Sequence, residues 1–438
     1  MECATFDFTM IASILISLFI LSICILLISK HPFFQLSEVP KKWVLITFIF
    51  KLLAATAFWW IYTHYYTDRS TADLYKYFDD AQALMIHSED KPALRLQLFL
   101  PEKERSADYQ KLLIHSLHWD QGENNLFNDN RSIIRIHFLI LLISQGFFHL
   151  HNLIFCFLSF IGLFALFRFF KSYSSVPPPI LFISLFYLPS ILLFCSPAIK
   201  ESWLFFCMGF FLFHLMNFLN QRKIKPLLLL ALFLFFLLGI KPYVLITLAM
   251  AIISFSISSL FPKKSLLVFL VVHTVFIVFL LFNLDFFSHI LIEKQNQFIE
   301  LAKESGASSY FQIHRFQNFS EIIIAFPQAL YNVWVRPITF IFENPLAAIA
   351  AIESLLLLFL PFLAVAYFKK PKKKELPLIF SAVSFILILS SLIGLSIPIM
   401  GAIVRYKVPI YPFYLLLIFS FIDFKRIPFI AKFKFIPL

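Results

Sequence analysis

Glycine is scarce in this chain, with 8 residues in 438, and no two stand close enough to build a GxGxxG turn or a phosphate-binding loop. Backbone cradling of a nucleotide phosphate is therefore unsupported, and any phosphorylated ligand has to be held by side chains. Charge is also thin: Asp, Glu, Lys and Arg supply 14% of the residues against 60% hydrophobic, which excludes an ordinary soluble domain. The five cysteines, Cys3, Cys24, Cys156, Cys195 and Cys207, show neither paired spacing nor a metal-ligand pattern. No repeat is visible between the two halves, which weakens an inverted-repeat transporter. The first apolar run lacks a basic leader and a small-residue cleavage site, so it reads as a retained span.

What is present is apolar length. Mean hydropathy is +0.84, and 60 of the residues are Phe. The chain reads as an all-α polytopic transmembrane helix bundle, one integral-membrane domain over 1–438. Runs of about 20 apolar residues cross a bilayer, and on that measure about eleven spans are expected. They fall near 9–29, 43–62, 146–170, 179–195, 202–220, 226–240, 243–261, 265–283, 346–368, 376–398 and 408–422. Residues 133–145 are short and 321–343 are interrupted by Pro327 and Pro337, so both are expected to lie along the interface.

The net charge of +12 does not point to nucleic acid, because the basic residues sit in short loops between apolar runs and no stacking motif accompanies them. Lys30, Lys41 and Lys42 follow the first span, Arg168 and Lys171 the third, and Arg222, Lys223 and Lys225 the fifth. Lys263 and Lys264, the run Lys369 to Lys374, and Lys425, Arg426, Lys432 and Lys434 continue the series. Every odd-numbered exit is basic, so the N-terminus is expected outside and the tail 423–438 inside. The long loops 63–132 and 284–345 then both face outward. The first holds twelve Asp and Glu against eight Lys and Arg, nearly half of the acids in the chain.

Within that acid-biased loop lies DLYKYFDDAQAL with the pair Asp79 and Asp80; YKYFDDAQALM has apolar residues at helical spacing, and HSEDKP ends that helix before Pro92. Adjacent carboxylates whose environments differ can supply a general base and an orienting group, or together hold a divalent cation. They are equally read as solvated acids at a helix start, favoured by the macrodipole. Cations that could meet an anion follow in CSPAIKESW (Lys200), LGIKPY (Lys241), VWVRPI (Arg336) and GAIVRYKVPIYPF (Arg405 and Lys407). Arg405 and Lys407 break the positive-inside pattern, and Arg can grip a phosphate at two points where Lys adds a point charge. The plain alternative for each is a cation snorkelling to the interface. His115 with His118, and His149 with His151, are read as interfacial histidines rather than a metal set.

Many spans, FDDA (Asp79, Asp80, Ala81) in the first large outer loop, and VRYKVPIYP (Arg405, Tyr406, Lys407, Pro409, Pro412) late in the chain resemble the GT-C class of integral-membrane glycosyltransferases. The class includes protein O-mannosyltransferases, aminoarabinose transferases and bacterial surface-polysaccharide enzymes. The resemblance implies a polyprenyl-phosphate-linked sugar donor, a glycan or lipid acceptor, a bacterial plasma-membrane location and an active site on the outer face. It gives Asp79 the role of base or metal ligand, makes Asp80 the adjacent acid, and offers Arg405 to the donor phosphate. A polysaccharide polymerase or ligase, and a lipid or polysaccharide flippase, are the alternatives. A flippase is expected to carry charge along its spans rather than at one face.

Overall fold

The computed structural model describes residues 2–66, 68–69, 72–100, 106–119, 129–304, 306 and 309–428. Lys432 and Lys434 of the basic tail lie outside the described residues. The helices run in the order α1 (Glu2–Lys30), α2 (Lys41–His64), α3 (Asp73–Ile86), α4 (Pro92–Gln97), α5 (Ala107–Leu113), α6 (Asp129–Ser144) and α7 (Phe148–Tyr173). There follow α8 (Pro178–Phe186), α9 (Pro189–Phe194), α10 (Lys200–Gln221), α11 (Ile224–Leu238), α12 (Pro242–Leu260), α13 (Ser265–Phe282) and α14 (Leu284–Glu304). The last are α15 (Phe319–Ile324), α16 (Phe326–Trp334), α17 (Pro345–Ala366), α18 (Leu376–Ser396), α19 (Met400–Tyr406) and α20 (Ile410–Phe419). Among the described residues there is no strand, only two isolated bridges.

The chain is a helical integral membrane protein, and among the described residues eight helices are long and apolar enough to span a bilayer. A ninth span is formed if α19 and α20, which meet at 61°, are one broken crossing. The expected run 179–195 is instead two short helices, α8 and α9, because Pro189 opens a new first turn and cannot donate to the helix before it. The run 226–240 forms α11, whose 15 residues rise only about 22 Å, short of the hydrocarbon core. Residues 133–145 belong to α6, a helix with one deeply buried face, and 321–343 form α15, α16 and a 3-10 turn at Arg336–Phe340.

The described residues divide into two compact units, the first made of 1–168 and 192–242, the second of 169–191 and 243–438. In the first, the acid-biased loop is a folded element. Leu74, Tyr75, Tyr77, Phe78, Ala81 and Leu84 form the buried stripe of α3, and α6 packs against it. Two glycines mark a close crossing: a Cβ on Gly209 of α10 would run into the backbone of Gly162 of α7, and a Cβ on Gly162 would run into the backbone of Phe205 and Phe206 of α10. In the second unit the same device recurs, since a Cβ on Gly394 of α18 would meet the Ala329 carbonyl of α16.

Candidate functional site

The two acids of α3 have different surroundings because helical periodicity separates them. Asp80 stands three residues after Tyr77 and four before Leu84, on the buried stripe, and its side chain is 5% exposed. Burying a carboxylate is costly unless donors surround it. Here Ser116 Oγ donates to Oδ2 at 2.6 Å, the His118 amide to Oδ2 at 2.7 Å and the Leu117 amide to Oδ1 at 3.1 Å. The His118 Nδ1 lies 3.3 Å from Oδ2. Burial alone would raise the Asp80 carboxyl, but the bonds from His118 and Ser116 outweigh it and hold the group below its ordinary range. Asp80 thus fastens the segment 116–118 onto α3.

That segment is anchored from its other side as well. Trp119 is fully buried, its carbonyl accepts from Arg131 Nε at 2.6 Å, and the Arg135 guanidinium stands 5.1 Å from its ring. Arg135 Nε also donates to the Leu98 carbonyl at 2.5 Å, so α6 holds two stretches of the loop in place. The result is a fixed platform for α3.

Asp79 faces outward from that platform. Arg69 grips it at two points, Nε to Oδ2 at 2.7 Å and Nη2 to Oδ1 at 2.6 Å, and the guanidinium lies over the Tyr75 ring at 4.0 Å. Both side chains keep solvent access, 54% for Arg69 and 36% for Asp79. The cation beside Asp79 is therefore Arg69, which precedes the helix and has no periodic relation to it in the sequence. Its only sequence signal was membership of the same polar stretch.

Lys200 and Lys241 are already compensated by acids of their own. Lys200, at the first turn of α10, donates to Asp129 Oδ2 at 2.7 Å and Asn130 Oδ1 at 2.6 Å, and its Nζ stands 4.7 Å from the Tyr77 ring of α3. Lys241 forms an ion pair of 2.7 Å with Glu201, and both are almost wholly buried. Sequence reasoning passed over Lys51, which is fully buried within α2 and donates to the Cys195 carbonyl at 2.7 Å and Ser196 Oγ at 3.1 Å. A lone Lys in an apolar run was the available signal. The non-helical stretch 195–199 supplies the carbonyl that an unbroken helix would have consumed.

The other three cations belong to the second unit. Arg405 is half-buried, with its guanidinium 5.2 Å from the Tyr406 ring. Lys407 is buried and donates to the Val333 carbonyl at 3.1 Å and Ser354 Oγ at 3.0 Å. Glu353, buried in α17, accepts from the Ser190 amide at 2.7 Å. Arg336 donates through Nε to Asn332 Oδ1 at 2.8 Å and lies over the Phe311 ring at 4.2 Å.

Among the described residues no group of three or more His, Cys, Asp or Glu is placed to hold a metal ion. Both oxygens of Asp80 already accept hydrogen bonds, from Ser116 Oγ and from the Leu117 and His118 amides. The histidines pair differently from their sequence spacing: His137 Nδ1 meets His151 Nδ1 at 2.9 Å, and His151 Nε2 meets Ser144 Oγ at 2.9 Å. Burial pushes His137 down to about 3, so its ring is neutral at physiological pH. What the first unit offers chemically is an accessible carboxylate, a guanidinium bonded to it, and a rigid helix that fixes both. No protein-family model, curated protein or solved structure matches this chain.

Proposed function

We propose that the chain is a membrane glycosyltransferase that moves a sugar from a polyprenyl-phosphate-linked donor to a hydroxyl of a glycan or lipid acceptor, with Asp79 as the general base. The observation that carries this reading is the Asp79–Arg69 contact: the one acid of the pair not spent on holding the loop is bonded to a cation whose fork also suits phosphate. In the step, the acceptor hydroxyl gives its proton to Asp79 as its oxygen bonds to the anomeric carbon. The bond from that carbon to the donor phosphate oxygen breaks, and its electron pair leaves with the phosphate. Arg69, exchanging Asp79 for the phosphate, stabilises the charge that develops there. Lys200, whose Nζ stands 4.7 Å from the Tyr77 ring of α3, is a further cation beside that helix, and Lys241, Arg405, Lys407 and Arg336 are not needed for the step.

The deciding experiment is transfer by the purified chain in lipid nanodiscs supplied with polyprenyl-phosphate sugars and an acceptor glycan. Turnover that falls by about 10²–10⁴-fold in Asp79→Asn supports the base. Turnover equal to wild type in Asp79→Asn removes it.

A second reading, translocation of a lipid-linked or polysaccharide cargo without bond chemistry, is favoured by one specific observation. Lys51 in α2 and Glu353 in α17 are ionisable groups buried inside spans, where charge is costly and often marks a path. Flux of a fluorescent lipid-linked oligosaccharide across proteoliposomes that survives Asp79→Asn and is lost in Lys51→Met would shift the assignment to this reading.

A further inference from the structure

A cavity of about 330 Å³ lies within the second unit, walled by Gln295 of α14, Gln312, His314 and Phe316, Gln328 and Asn332 of α16, Arg336, and Leu395 of α18. Two of its amides, Gln295 and Asn332, are buried and hydrogen-bonded. Gln295, fully buried, donates to the His314 and Leu395 carbonyls at 3.0 and 3.1 Å and accepts from the Phe316 amide at 2.9 Å. Asn332, 2% exposed, donates to the Gly394 carbonyl at 3.1 Å. Its Oδ1 accepts from Gln328 Nε2 at 3.0 Å and Arg336 Nε at 2.8 Å. These bonds fix the Arg336 guanidinium, which also lies 4.2 Å from the Phe311 ring and 5.5 Å from the Tyr331 ring.

With Nε committed to Asn332, the fork formed by the two Nη atoms is what remains, and among the described residues no hydrogen bond reaches it. Holding a cation in one orientation without an acid partner is the preparation expected of an anion site, because the ordering cost is met before the ligand arrives. Among the described residues the lining contains no second Lys or Arg and no Asp or Glu. Its one histidine, His314, is bonded to Glu321 at 3.1 Å. A single guanidinium balances one negative charge, whereas a phosphate monoester brings roughly 1.5–2. The volume is at the small end of ligand sites, suited to a body of monosaccharide size. Gln312, whose amide makes no hydrogen bond among the described residues, and Oε1 of Gln328 are left to meet hydroxyls.

We propose that this cavity binds a singly charged oxyanion, a carboxylate or a phosphodiester, carried on a polar body of monosaccharide size, with Arg336 as its two-point partner. The site does not depend on chemistry at Asp79, and a binding measurement tests it without any transfer reaction. Calorimetric titration of the purified full chain in detergent with glucuronate, with sn-glycero-3-phosphoglycerol and with glucose separates the sources. Saturable binding of glucuronate assigns the cavity to an acidic sugar, and binding of the diester assigns it to a headgroup. Glucose is expected not to bind at the same concentrations. Arg336→Gln should weaken the bound anion by at least about tenfold, and Arg336→Lys should recover part of it, since Lys keeps the charge but not the fork. If Arg336→Gln does not fold, Gln312→Ala serves instead, as it trims an exposed side chain and should weaken binding severalfold. Glucose binding as tightly as glucuronate, neither anion binding saturably, or affinity unchanged in the foldable variants overturns the proposal.

Discussion

Arg69 and Asp79 meet through both ends of the guanidinium, at 2.7 and 2.6 Å, on the open side of a helix whose next residue, Asp80, is locked to three donors beneath it. One helix thus presents a solvent-accessible carboxylate and a buried one, side by side in sequence. The division follows from the 100° turn between successive residues of an α-helix, which puts neighbours on different faces.

The two acids should therefore separate under the same substitution. Asp79→Asn removes a solvent-exposed ion pair, which costs roughly 0–1 kcal/mol, so the thermal midpoint in detergent should barely move. Asp80→Asn replaces one acceptor oxygen with an NH2 that faces existing donors, and should cost roughly 1–3 kcal/mol per hydrogen bond lost. A larger midpoint loss for Asp79→Asn than for Asp80→Asn would contradict this assignment.

Acid should release the segment that Asp80 holds. Because the folded-state carboxyl is depressed, the stability it contributes is fully present above the ordinary carboxylate range and is lost as pH falls through the lower folded value. Hydrogen exchange at the Leu117 and His118 amides reports it directly. Their protection should be constant above that range, decline on acidification, and be low at every pH in Asp80→Asn.

The buried Lys241–Glu201 pair should behave as a unit. Removing one partner leaves an uncompensated charge in an apolar surround and should cost roughly 3–5 kcal/mol, whereas replacing both with apolar residues of similar volume should recover much of it. The measurement is a double-mutant cycle with Lys241→Met and Glu201→Leu. Additive losses would show that the two do not compensate each other.

The basic exits predict sidedness. Single cysteines at Lys372 and His87, introduced after Cys3→Ser, should label from opposite sides of sealed vesicles, with His87 outside. Cys24, Cys156, Cys195 and Cys207 are all buried, so background labelling should be small. Labelling of both positions from one side would contradict the alternation, and Lys372 outside with His87 inside would invert the orientation on which a lipid-linked donor rests.

By itself the sequence determined the membrane class, most of the spans and the extent of α3. Those depend on run length and on a 3.6-residue period, both local properties. It also contained the division between the acids, since Asp80 shares the register of Tyr77 and Leu84 and Asp79 does not. Only the tertiary structure decided which partners each charge has. Arg69 reaches Asp79 across ten residues, Ser116 reaches Asp80 across thirty-six, and Lys51 finds Cys195 across one hundred and forty-four. No periodicity links such positions, because each contact is set by how the helices pack. The run 179–195 forms two helices rather than one span for a related reason: hydropathy sums over a window, whereas Pro189 acts at one backbone position and opens a new helix there.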